Sequence, residues 1–172
     1  MLNAQEDVVA VHEDATSTIT NYPIAFQTAC NFSQHIYLSS DLNHGKGIID
    51  KIAFKVFTTQ SGNRSITLYL KNTSSATLSS WEIGSTQVFQ ATLDPHANND
   101  GWLEFDIDDF EYDGTNILVS CYDNAGESYL NGTNATSYRG SGAGDVTIYY
   151  NSTSSFGLNE DNVPNNNGFT GS

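Results

Sequence analysis

The chain has 172 residues, enough for one substantial core, and no second apolar pattern requires another domain. It carries 20 acidic against 6 basic residues, a formal charge of −14, which repels a phosphate backbone and sets nucleic acid aside as a partner. No run approaches the roughly 20 apolar residues that a membrane-spanning helix requires, so no membrane insertion is expected.

Residues 1–20 form a polar, acidic leader. Met1–Ala4 has the small-residue character of a signal-peptide remnant or of a cloning start, and Val8, Val9 and Val11 offer an edge strand. Residues 21–172 form the single β domain expected here. From Tyr22 onward, runs of β-branched and aromatic residues recur between clusters of Gly, Asn, Asp and Ser. In IDKIAFKVF, Ile52, Phe54 and Val56 share one face, while Lys51, Ala53, Lys55 and Phe57 share the other. In SITLYL, Ile66, Leu68 and Leu70 oppose Ser65, Thr67 and Tyr69, the pattern of a half-buried strand. QHIYLS, TQVFQATL, WLEFDI, TNILVSCY and DVTIYY supply further strands, around Ile36, Val88, Leu103, Ile117 and Ile148. No convincing helix is visible. Seven or eight short strands imply an all-β sandwich or barrel.

Residues 156–172 are dense in Asn and poor in apolar side chains, a loop-like tail. Either a closing strand follows Ser172 or the tail wraps over a sheet, and a missing strand would leave an open edge for a partner strand. Cys30 and Cys121 are too few for a thiolate metal cluster, which leaves one disulfide or two buried thiols.

Five segments stand in a telling order: SQHIYLSSDL, KGIIDKIAFKV, RSITLYLKNTSSATLSS with Trp81, TQVFQATL, and GWLEFDIDDFEYDGTNILVSCYDNAG. Over residues 22–126 this series resembles a domain of secreted and surface proteins of gut and oral anaerobic bacteria, related in architecture to the cleaved-adhesin modules of gingipains. The resemblance implies a two-sheet antiparallel β-sandwich of jelly-roll type, export, and adhesion or the binding of carbohydrate or protein. It also implies calcium, which the related modules often hold. After Gly126 the likeness fades, with no counterpart of the terminal strand and no Asp-Gly-rich calcium loop.

The densest acidic segment, DIDDFEYDG, imitates the start of an EF-hand loop at Asp109, Glu111, Asp113 and Gly114. The twelfth position would be Ser120, which cannot supply a bidentate carboxylate, so a solvated face ending in a Tyr-Asp-Gly turn is the better assignment. Phe110 and Tyr112 have the character of core-facing strand residues. Upstream, alternation sets Glu104, Asp106 and Asp108 opposite Leu103, Phe105 and Ile107. Asp123, Glu127 and Asp145 lie near Gly-rich turns and are the candidate ligands of a structural calcium ion.

Catalytic signatures are missing. GSGAG at Gly140–Gly144 is neither a nucleophile elbow nor a P-loop, and His12, His35, His44 and His96 have no paired spacing for zinc. For sugar binding, flat aromatic faces stack on pyranose C–H surfaces, which makes the loop-side Trp81, Tyr122, Tyr129 and Tyr138 the candidate ligand-binding residues. Trp102 begins a strand and is assigned a structural part. The expected function is a noncatalytic adhesion or ligand-binding module, extracellular or at the cell surface, with a glycan or a host or surface protein as partner. The alternatives are a structural subunit that self-assembles through an open sheet edge, and a carbohydrate-active enzyme whose paired carboxylates sequence cannot place.

Overall fold

The computed structural model describes residues 8–9, 17–19, 22–58, 62–94, 101–124, 135–139, 146–152, 159–164 and 168–170. In chain order these form β1 (Ser17–Ile19), β2 (Cys30–Tyr37), a four-residue α1 (Ser39–Leu42), β3 (Gly47–Thr58), β4 (Arg64–Thr73) and β5 (Thr86–Leu93). There follow β6 (Trp102–Tyr112), β7 (Asn116–Asn124), β8 (Ala135–Arg139), β9 (Thr147–Ser152) and β10 (Gly168–Thr170).

The first eight strands pair as a nested antiparallel hairpin, β4 with β5, β3 with β6, β2 with β7 and β1 with β8. That hairpin is rolled so that its pairs fall alternately into two sheets, ordered β1-β8-β3-β6 and β10-β9-β2-β7-β4-β5. This is a jelly roll, an all-β sandwich of two open antiparallel sheets, extended on one side by β9 and β10.

Between the sheets lies a core of Ile24, Phe54, Val56, Ile66, Leu68, Leu70, Leu103, Phe105, Val119 and their neighbours. Phe105 is the hub, with Phe54 and Phe89 edge-on to it at 5.7 and 5.1 Å between ring centroids. Alternation accounts for β6, where Leu103, Phe105 and Ile107 are buried while Glu104, Asp106 and Asp108 are exposed. The register with β3 then slips between Ile49 and Lys51, and each strand turns two successive residues outward, Asp50 and Lys51 on β3, Asp108 and Asp109 on β6. Beyond this bulge the alternation restarts one step over, so Phe110 and Tyr112 are buried as well.

Three features depart from the sequence-based expectations. Val8 is 90% and Val9 42% exposed, outside any strand; the leader contributes Ser17–Ile19 instead, where β8 supplies the hydrogen-bonding ladder. The tail holds a strand of its own, β10, which needs little apolar content because it is held by backbone pairing to β9. Residues 159–164 of the same tail do wrap over the six-stranded sheet, one of the two arrangements expected, and Val163 packs there on Cys30 and Phe32. Finally, chain segments lie over part of the outer face of β2, β4 and β7, so that in SITLYL Thr67 is buried at 4%, while Ser65 and Tyr69 stay partly exposed as the half-buried pattern expects.

The two cysteines answer the disulfide question by parity. Cys30 lies opposite Asn124 and Cys121 opposite Ser33, an odd number of positions apart on β2, so their side chains leave the sheet on opposite faces. Cys30 joins the outer cluster with Phe32, and Cys121 joins the main core. Both thiols are buried, and neither takes part in a disulfide.

Candidate functional site

The outer face of the six-stranded sheet carries a row of large side chains fixed by register. Tyr150 of β9 and Tyr122 of β7 both stand opposite Phe32 of β2, and Tyr122 stands opposite Thr67 of β4. With strands about 4.8 Å apart, the two tyrosines are anchored roughly 10 Å from one another. Tyr69, two residues beyond Thr67, is a diagonal neighbour of Tyr122. Tyr69, Trp81, Tyr122 and Tyr150 are each partly buried and pack around Cys30, Phe32 and Val163.

Two segments lie against this face and frame the row. In the segment after β4, the Gln34 amide clasps the Glu82 backbone, donating Nε2 to the carbonyl at 2.6 Å and accepting from the N–H at 2.9 Å. Trp81 sits edge-on to Phe32 at 5.2 Å and donates Nε1 to the Pro164 carbonyl at 3.4 Å, which ties this segment to the tail. Glu160 of the tail accepts from the Ser85 N–H at 2.9 Å and the Ser120 hydroxyl at 3.3 Å. Burial raises the Tyr69 phenol, and the Glu160 charge adds to that effect, so Tyr69 keeps its proton as a hydrogen-bond donor. Burial also works to raise the Glu82 carboxyl, but hydrogen bonds from Ser75, Lys71 and Thr73 outweigh it and hold the group below its ordinary value.

At one end of the sandwich is a shallow pocket of about 440 Å³ lined by Lys46, Ile48, Asn72, Glu111, Tyr112 and Asp113. Asn72 crosses between the sheets there, donating to the Glu111 carbonyl at 2.9 Å and accepting from the Asp113 N–H at 3.2 Å. Asp113 accepts from the Thr115 hydroxyl and N–H, and Gly114 follows at φ +86°, so DIDDFEYDG does end in a turn. Those Thr115 bonds hold the Asp113 carboxyl below its ordinary value.

The structure brings two of the four aromatic candidates, Trp81 and Tyr122, into one cluster. Tyr138 lies on β8 of the other sheet, opposite Thr18, and Tyr129 lies outside the described residues. Trp102 begins β6 as expected but is 39% exposed, on a strand at the margin of its sheet. Phe32, Tyr69 and Tyr150 were not singled out from sequence, because membership of the row depends on pairing between distant strands. Of the calcium candidates, Glu127 and Asp145 lie outside the described residues. Asp123 faces the interior, where its carboxylate accepts from Arg64 and from the Ala25 N–H, so both oxygens are engaged. Among the described residues, no group of three or more His, Cys, Asp or Glu side chains is placed to hold a metal ion.

The buried His35 is paired as well. His35 lies 3.1 Å from the Thr147 hydroxyl through Nδ1 and 3.0 Å from the Ser33 hydroxyl through Nε2, with the Tyr22 ring against it. Burial pushes its pKa down to about 3, so the imidazole is neutral and this Ser–His contact is sealed from solvent.

No helix among the described residues is long and apolar enough to cross a membrane. No protein family matches the chain, and neither a curated protein nor a solved structure matches it.

Proposed function

We propose that this chain is a noncatalytic, exported binding module that takes a neutral carbohydrate on the tyrosine-bearing face of its six-stranded sheet. The observation that carries this reading is the register that places the partly exposed Tyr150 and Tyr122 on either side of the buried Phe32, with the partly exposed Tyr69 and Trp81 beside them. Flat aromatic faces held by a rigid sheet suit the C–H surfaces of pyranose rings, and phenol hydroxyls bond their hydroxyl groups. A net charge of −14 favours a neutral glycan over an acidic one. Adhesion to a glycan-bearing surface is the role that follows.

A glycan array, followed by calorimetry on any hit, tests the reading. Tyr122→Ala and Tyr150→Ala are each expected to weaken binding about tenfold, equivalent to about 1.4 kcal/mol. Silence across neutral glycans, or binding unchanged in the double variant, refutes it.

A further inference from the structure

The two long strands at the margin of the sandwich are treated differently by the sequence. β6 ends the four-stranded sheet and carries exposed Glu104, Asp106, Asp108, Asp109 and Glu111 together with the bulge. Charge and irregularity of this kind prevent edge-to-edge pairing. β5 ends the six-stranded sheet, and among the described residues it pairs only with β4. Its sequence TQVFQATL has no charged residue and no proline. A single register shift, opposite Leu68 and Tyr69, falls at Val88, and the stretch Phe89–Leu93 beyond it pairs regularly with β4. Along such an edge, alternate residues point both their N–H and their C=O away from the sheet.

β5 and β6 flank the same side of the molecule, as the edge-on contact of Phe89 with Phe105 shows. The charge on β6 therefore selects what β5 can accept. A second copy would bring two acidic β6 rows and two net charges of −14 together. A basic segment gains from the same field. We propose that the Phe89–Leu93 edge of β5 accepts an extended, Lys- or Arg-bearing segment of another protein as an added strand, with backbone pairing for affinity and the β6 carboxylates for selection.

The probe is a fluorescent ten-residue peptide of alternating Val and Lys, with a control of equal charge in which proline replaces every second valine. Anisotropy is expected to show at least tenfold tighter binding of the first peptide, weakening as salt rises, and hydrogen exchange to show new protection at Phe89–Leu93. Gln90→Lys is expected to abolish that protection while leaving the melting temperature unchanged, and neutralising Asp106, Asp108 and Asp109 to Asn is expected to flatten the salt dependence. Equal binding of the proline control, protection elsewhere than β5, or no binding at millimolar peptide overturns the proposal. So does protection of β5 in the protein alone as it self-associates, which would assign the edge to a second copy.

Discussion

Arg64 and Asp123 meet inside the sandwich, Nε donating to Oδ1 at 2.5 Å and Nη2 to Oδ2 at 2.8 Å, with both side chains buried. The same guanidinium caps the Ala25 and Thr28 carbonyls at 3.0 and 3.1 Å and lies 5.7 Å from the centre of the Phe26 ring. The pair therefore fastens residues 22–29 into the core, and burial raises the Asp123 carboxyl against the opposing pull of Arg64. Breaking one half leaves a buried charge without its partner, which costs about 3–5 kcal/mol. Arg64→Met and Asp123→Leu are each expected to lose that much in urea unfolding, and the double variant less than the sum. Strict additivity would show that the two side chains do not act as a unit.

His35 supplies a pH dependence. Its pKa is 6.5 in the unfolded chain and about 3 in the fold, so the unfolded state takes up the proton first as pH falls. Its contribution to stability is complete above pH 6.5 and is lost progressively down to about pH 3. The slope grows as pH falls below 6.5 and approaches the one-proton limit, about 1.4 kcal/mol per pH unit, by about pH 5. Glu82 and Asp113, whose carboxyls are lowered, add acid sensitivity only from about pH 4.5 downward. His35→Gln is expected to flatten the upper window in denaturant melts, and an unchanged slope would count against this assignment.

The cysteines are expected to react only after unfolding. With Cys30 and Cys121 on opposite faces of the sheet, and with burial pushing the Cys121 thiol well up, an aromatic disulfide reagent should titrate no thiol in the native protein and two in denaturant. A reducing agent should leave the melting temperature unmoved. A shift of several degrees would reveal a bond that this packing forbids.

Asn72 links the end of β4 to the end of β6 through two hydrogen bonds. Asn72→Ala is expected to destabilise by about 1–2 kcal/mol. Asn72→Asp keeps an acceptor for the Asp113 N–H but lacks the donor to Glu111, and it adds charge beside two carboxylates, so it should not recover the loss. Equal stability of all three proteins in urea would remove Asn72 from the set of inter-sheet ties.

Much of the strand content was legible because side-chain alternation is a local signal. IDKIAFKVF and WLEFDI each declare an inner and an outer face, and Phe54, Leu103 and Phe105 are buried as the pattern requires. The all-β sandwich follows from the number of such segments. The candidate site was legible only in part: Trp81 and Tyr122 were visible as aromatics beside turns, whereas Tyr150 and Tyr69 join them through pairings with β2 and β7 that span the chain. Asp123 was misplaced among loop carboxylates because its burial depends on Arg64, 59 residues away.

By itself, the order of residues determined where strands form, which side chains seek water, and the acidity that defends β6. Nested pairing of β1 through β8, the bulge that admits Phe110 and Tyr112 to the core, the opposite faces taken by the cysteines, and the layer over the outer sheet were decided by tertiary structure. The physical reason is range. A period of two is set within a few residues, but register is set by contacts between distant segments, and one step of register exchanges the inside of a strand for its outside.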